Sequence, residues 1–231
     1  MIVVGCCVGP GGRFRRIAGP SLETFTTAGD EVVLIEGASG ICAAYNAVMK
    51  RARTLEACEG VVLLHDDLEL FDGARAEVLK AVAEPGVGLV GVVGGSDLVH
   101  GKWWSGRRVA GRVIDSRGDR HLGPASADVD AVDGCLLVVA PAALSLDFDE
   151  SSFPDFHGYD VDFSLQVREA GLRVVTRELG CRHHDKGSAG DVPAFERAMR
   201  ALEAKWPTWI RPHSRWERLA RRTHRAAAAL T

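Results

Sequence analysis

Three groups of residues in this chain have types and spacings that chemistry could use. The first is His65-Asp66-Asp67, which interrupts the apolar run from Val61 to Leu64. Two adjacent carboxylates repel each other unless a cation or a set of donors compensates them. Hard divalent ions prefer carboxylate oxygens and often bridge substrate phosphates, so this cluster could hold a metal that grips a diphosphate. The plainer reading is a solvated turn that ends a strand and caps the helix after Asp72-Gly73. The second group is the acid-rich, aromatic run from Leu146 to Asp162, broken by Pro154 and Gly158. Acids at a helix start are favoured by the helix dipole, which accounts for Asp160 and Asp162 as cap residues. A carboxylate fixed there can also be aimed at a bound hydroxyl as a general base. The third is His183-His184 beside Asp185. Imidazole is a common ligand for manganese-like ions, although a histidine pair by itself is more often surface decoration.

The elements that must position these groups follow from periodicity. Val61 to Leu64 is a continuous apolar run, as expected of a strand buried on both faces of a parallel sheet. His65 to Asp67 then fall at its carboxyl end, where open α/β sheets bind ligands. Ile2 to Val8 reads as the first strand. The turn after it, Gly9-Pro-Gly-Gly-Arg13, is basic but lacks a phosphate-loop Lys-Ser/Thr and the GxGxxG spacing, so a plain loop is expected. Glu31 to Ile35 reads as a second strand ending at Glu36, which could bond a ribose or base or cap the next helix. Ile41, Ala44, Tyr45, Val48, Ala52 and Leu55 form one stripe and predict a helix over 40–53, with Asn46 off the stripe near its start. A helix over 73–83 and a strand over 87–93 continue the alternation, which argues for βαβ units.

Past Ser96 the character changes. Residues 96–128 are rich in Gly, Arg, Asp and Ser, with Trp103-Trp104 in the middle, either to stack on a sugar or to pack. A β-like piece is expected over 108–114 and a strand over 131–140, with Asp133-Gly134 near its beginning. A helix over 161–170, closed by Gly171, and a strand over 172–179 lead to the histidine pair.

Composition narrows the classes. The 231 residues are 46% hydrophobic and 26% charged, with a net charge of −3, which gives no drive toward nucleic acid. The start carries no basic, apolar leader pattern, so a signal peptide is not expected, and no run reaches the roughly twenty apolar residues of a membrane span. Six scattered cysteines without a CxxC pair suggest free thiols in a reducing cytoplasm rather than disulfides or a structural zinc.

Taken in order, His-Asp-Asp after a strand, the Val-Asp-Gly-Cys strand at 132–135, Tyr-Asp-Val-Asp-Phe-Ser-Leu-Gln-Val-Arg-Glu-Ala-Gly at 159–171 and the His-His pair resemble the inverting GT-A glycosyltransferases, family 2-like transferases of nucleotide-diphospho sugars. Gly40-Ile-Cys-Ala-Ala-Tyr-Asn46 also resembles that family's segment before the metal strand. The resemblance covers residues 1 to about 190. It implies an α/β chain of GT-A fold, with a mainly parallel central sheet flanked by helices and a helical C-terminal tail. It implies one catalytic domain over 1–190, its donor half at 1–95 and its acceptor half at 96–190, followed by an extension at 191–231.

The resemblance further implies a nucleotide-diphosphate sugar donor, a hydroxyl acceptor and a divalent metal, Mn2+ or Mg2+. Asp67 matches the family's metal-contacting acid, and His183, with His184 as the alternative, matches its histidine after the last strand. His65 stands where the family has an acid. Asp160 takes the base role, with Asp162 or Asp155 as fallbacks, and Tyr159 replaces the usual glutamate before it. Cys7, Val8, Glu36, Asn46, His65 and Asp66 fall on the donor side. Trp103, Trp104, Asp133, Gly134, His157 and Tyr159 fall on the acceptor side. Two rivals remain: a sugar-nucleotide nucleotidyltransferase, which would need a Lys beside Pro after the first loop, and a non-catalytic sugar-nucleotide-binding scaffold.

At the C-terminus, Asp191 is expected to cap a helix whose stripe is Val192, Phe195, Met199, Leu202 and Trp206, ended by Pro207. Beyond it a basic tail, Arg211 to Arg225, interleaves Trp209, Ile210, Trp216 and Leu219. It reads as a solvated helix, a subunit contact or a peripheral contact with the inner face of a membrane.

Overall fold

The structure, a computed structural model, describes residues 1–185 and 191–211. The first half comprises β1 (Ile2–Val8), α1 (Arg13–Arg16), α2 (Ala18–Phe25), β2 (Glu31–Glu36), α3 (Ile41–Ala52), β3 (Gly60–His65), β4 (Leu68–Leu70), α4 (Ala74–Val82) and β5 (Val87–Gly91). Short strands dominate next: β6 (Val93–Ser96), β7 (Arg108–Asp115), β8 (Gly118–His121), β9 (Ala127–Val129), β10 (Ala131–Val132) and β11 (Leu136–Val139). Then come α5 (Tyr159–Glu169), β12 (Arg173–Thr176), β13 (Cys181–His183) and α6 (Val192–Lys205).

Seven strands form the central sheet in the order β2-β1-β3-β11-β5-β12-β9. β1, β2, β3, β5 and β12 share one direction, while β11 and β9 run against it. The apolar runs explain who sits in the middle. Val61, Val62, Leu63 and Leu64 of β3 have no exposed surface, and neither do Leu136 to Val139 of β11. Each buried Val or Leu contributes about 1.5–3 kcal/mol of transfer free energy, which places these strands between helices rather than at an edge. The stripe on α3 packs against this sheet as its periodicity predicts: Ile41, Ala44, Tyr45, Val48 and Ala52 are all buried.

Register sets the site. Cys7 pairs with both Ile35 and His65, and Val8 pairs with Glu36, so three strands finish level along one edge. A second sheet runs β10-β6-β7-β13-β4 with β8 on β7, and its β4 follows the end of β3 directly in the chain.

Two expected strands divide between the sheets and a third ends early, and these are the main corrections to the sequence reading. The 87–93 run breaks at Val92 into β5 and β6. The 131–140 run breaks at Asp133-Gly134: the Asp133 N–H still donates to Val93 on β6 at 2.9 Å, and from Leu136 the chain pairs with β3 instead. The expected 172–179 strand ends at Thr176, and β13 follows beyond it at Cys181 in the second sheet. Because β13 pairs antiparallel with β4, His183 lies opposite Leu68, one residue from Asp67. A one-residue slip would turn His183 to the other face.

Other elements shift more modestly. The expected loop after β1 is a turn over 9–12, and α1 takes over from Arg13. α5 starts at Tyr159, two residues early, because Gly158 adopts φ 80, a left-handed turn that glycine enters without penalty. The buried stripe of α6 is Ala194, Ala198 and Leu202, and Val192 is 55% exposed rather than packed. Asp191 caps α6 by accepting from the Ala194 N–H at 3.0 Å. The basic tail from 212 onward, with its membrane or subunit contact, lies outside the described residues. Among the described residues, no helix is long and apolar enough to cross a membrane.

Candidate metal and active site

At the level end of β1, β2 and β3, side chains distant in sequence converge. One ligand atom each from His65, Asp67 and His183 lie within 4.8 Å of one another. His183 Nε2 is 3.2 Å from Asp67 Oδ1 and 3.4 Å from His65 Nδ1. The other Asp67 oxygen, Oδ2, accepts from the Arg13 guanidinium at 3.1 Å. Asp66 accepts from the Gly9 N–H at 2.9 Å and has Arg13 Nε at 3.2 Å. The repulsion expected between adjacent carboxylates is thus met by one arginine, one backbone N–H and one imidazole. Burial pushes the Asp67 pKa up, but the His183 hydrogen bond and the charges of His183, His65 and Arg13 outweigh it, leaving it below the usual carboxylate value. His183 moves oppositely: burial lowers its pKa, while the bond to Asp67 and nearby carboxylates raise it overall. His65 is lowered, first by burial and then by His183.

Two nitrogens and one carboxylate oxygen form a donor set that suits a manganese-like ion better than Mg2+, which prefers oxygen ligands and its own waters. The three residues therefore fit a divalent site, and His65, expected only on the donor side, takes part in it. His184 does not. Its Nε2 lies 2.9 Å from Glu69 Oε2, and it lines a separate cavity of about 420 Å³ with Arg16, Pro20, Ser21 and Thr24. The adjacency of the two histidines hides this difference, because successive strand residues point to opposite faces.

Next to the cluster stands the start of α5. Asp160 Oδ2 accepts from the Gly134 N–H at 3.1 Å. Burial, reinforced by the neighbouring Asp133 carboxylate, pushes the Asp160 pKa up to about 7. A carboxyl group tuned to that range is suited to accept a proton near neutrality. The Asp133 carboxylate is held in turn by the Cys135 N–H at 2.9 Å and the Trp103 indole N–H at 3.0 Å. Tyr159 donates to the Gly134 carbonyl at 3.0 Å and touches His65 Nε2 at 2.8 Å. Gly134 must be glycine here, since a Cβ would lie 2.1 Å from the Tyr159 hydroxyl.

The remaining expected residues are placed as follows. Cys7 and Val8 line the end of β1, half-buried, and burial followed by Asp66 keeps the Cys7 thiol neutral by raising its pKa. Glu36 is exposed at the end of β2. Asn46 faces away from a donor role: its amide donates to Phe148 O at 2.9 Å and Glu150 at 2.7 Å, and it accepts from Phe148 N at 2.8 Å. Trp103 is a buried strut, whereas Trp104 is 51% exposed and stacks on Phe195 at 6.2 Å between centroids. His157 meets the same Phe195 ring edge-on at 5.5 Å. The fallback bases are committed elsewhere, Asp155 to Arg197 and Asp162 to Lys205, Trp206 and Gln166. The residue missed from sequence is Arg13. Its signal was the Gly-rich basic turn, whose lack of a phosphate-loop pattern concealed a salt bridge to residues more than fifty positions away.

Comparison with solved structures places this architecture. The fold is similar to that of GalNAc-T7, solved with UDP, GalNAc and Mn2+, with a TM-score of 0.58 and 11% identity, over 90% of this chain and 48% of that one. The mannosyltransferase PcManGT of Pyrobaculum calidifontis, solved with GDP-Man and Mn2+, gives a TM-score of 0.49 at 14% identity, over 100% of this chain and 80% of its own. The fold is of the GT-A type. In sequence, the streptomycin biosynthesis protein StrF of Streptomyces griseus is 37% identical over 191 residues, which is 81% of this chain and 68% of that protein. Residues 21–195 match the model of the Glycosyltransferase like family, and the chain belongs to that family.

Proposed function

We propose that this chain transfers a sugar from a nucleotide-diphosphate donor to an acceptor hydroxyl, with inversion, in a Mn2+-dependent reaction that uses Asp160 as its base. The observation that carries the reading is the convergence of His65, Asp67 and His183 beside Asp160 at the carboxyl edge of the sheet. A divalent ion bound by those three would neutralise charge growing on a leaving diphosphate. The chain's own residues do the rest. Asp66 and Arg13 tie the loop after β1 to the end of β3, which fixes the floor on which a nucleotide would lie. Cys7 and Val8 supply that floor as neutral surface, and Glu36 stands at the end of the neighbouring strand for the nucleoside. Asp160, near pKa 7, takes the proton of the acceptor hydroxyl as it attacks the anomeric carbon. In-line attack from the face opposite the leaving group inverts that centre, so one base suffices. Exposed Trp104, backed by Phe195, offers an aromatic face for the acceptor.

Thermal shifts with nucleoside diphosphates, with and without Mn2+, test the binding half of this reading. Stabilisation that requires both ligand and ion is expected, since ligand bound only to the native state raises its stability with occupancy. Stabilisation by no diphosphate under either condition would remove the donor. Release of nucleoside diphosphate from a donor sugar tests the chemistry: slow Mn2+-dependent hydrolysis supports an enzyme, and binding without turnover supports a scaffold.

A further inference from the structure

Tyr159 has no part in the reaction just outlined, yet its hydroxyl is held on two sides inside the site. The residue is buried, with its ring edge-on to Tyr45 at 5.8 Å. Its oxygen lies 3.0 Å from the Gly134 carbonyl and 2.8 Å from His65 Nε2. A phenol has one proton to give. A carbonyl oxygen can only accept, so at 3.0 Å that proton is spent on Gly134; otherwise two lone pairs would face each other in a buried place. The hydroxyl therefore meets His65 as an acceptor, and the imidazole must supply an N–H from Nε2. In the neutral ring the lone pair then resides on Nδ1, the nitrogen that faces His183 Nε2 at 3.4 Å within the three-residue cluster.

We propose that Tyr159 is a positioning residue that locks His65 in its Nε2–H tautomer, so that Nδ1 presents its lone pair to a divalent cation shared with Asp67 and His183. The role as ion holder rests on the metal-dependent reading above, whereas the tautomer itself does not. The arrangement follows a general need of metal sites, where a ligating imidazole is oriented by a hydrogen bond at its other nitrogen. What is particular to this chain is that a neutral phenol fills that place, and that the phenol is aimed by a carbonyl from a glycine it nearly touches.

The first measurement is Mn2+ binding to the metal-free full chain by titration calorimetry, for the unaltered protein and for Tyr159→Phe. Phenylalanine keeps the ring against Tyr45 and removes only the hydroxyl. A Kd for Mn2+ about 10- to 100-fold weaker is expected, as for loss of an outer partner of a ligand. Unchanged Mn2+ affinity in the folded variant overturns the proposal, because a merely structural tyrosine would lower the melting temperature and leave the ion's affinity alone. The second measurement is the nitrogen-15 NMR spectrum of His65 in the unaltered, metal-free protein, which decides the matter even where the variant does not fold. The Nε2–H tautomer upholds the lock, and the Nδ1–H tautomer overturns it. Should the unaltered protein take up no Mn2+, the metal-dependent reading fails by itself, and the NMR result still judges the role of Tyr159.

Discussion

Asp160 and Asp162 lie two residues apart on α5, and their surroundings treat their charges in opposite ways. Asp162 is 1% exposed and fully matched. Its Oδ1 accepts from Trp206 Nε1 at 2.7 Å and faces Lys205 Nζ at 2.8 Å, while Oδ2 accepts from Gln166 at 2.8 Å. Asp160 instead meets the Gly134 N–H, with Asp133 adding a second negative charge nearby. One acid fastens α6 to the body of the protein. The other is left with a proton held loosely enough to exchange near neutrality. The lesson is that burial alone does not mark a working carboxylate; the partner's charge does.

The largest effect that could break this contrast is on turnover. Asp160→Asn is expected to lower kcat by about 100- to 10,000-fold, the usual contribution of a general base, with donor KM little changed. Asp162→Asn should leave single-turnover rates near those of the unaltered enzyme. Equal losses for both would erase the distinction.

Stability should separate the pair in the reverse direction. Asp162→Ala leaves the Trp206 N–H unpaired and Lys205 with only Asp149, at 2.6 Å, a cost of about 1–3 kcal/mol measurable by urea unfolding. For Asp160 the sign follows from its raised pKa. The native state holds that proton more tightly than the unfolded chain does, so this group's contribution falls as pH rises from 3.8 toward about 7. Asp160→Asn removes that decline, and its melting temperature relative to the unaltered protein should be higher at pH 8 than at pH 5.

The pH profile sharpens the assignment further. A base with a pKa of about 7 is competent only when deprotonated, so kcat should climb through neutrality and level off above it. A profile already flat from pH 5 would exclude Asp160 from the rate-limiting proton transfer. The smallest effect belongs to the acceptor face. Trp104→Ala should raise acceptor KM roughly fivefold, about 1 kcal/mol of aromatic contact, with little change in melting temperature because the ring is half exposed.

Local pattern carried much of this architecture. Val61 to Leu64 announced a central strand because four apolar residues in a row leave no face for water, and the acids after it marked the strand's end. The α3 stripe was legible for the same reason, since one helix face repeats every three or four residues. The strands that change sheets were not legible. Val87 to Val93 carries no polar side chain, and Ala131 to Val139 carries only Asp133, so neither run says which partner each part of it will pair with. Long-range polar pairing was hidden too. Asp162 looked like a spare base because its partners Lys205 and Trp206 come from more than forty residues away. Arg13 looked like loop decoration until the end of β3 was placed against it. The resemblance favours His183 over His184, but the physical reason lies in the pairing of β13 with β4, which decides which ring faces Asp67.

The bare backbone at Gly134 has a consequence for descent. Tyr159 occupies the volume that any side chain at 134 would claim, which makes the two positions a single heritable unit spread over 25 residues. A lineage could exchange the phenol for something smaller and then tolerate alanine at 134, but the opposite order of substitutions passes through a protein with two groups in one space.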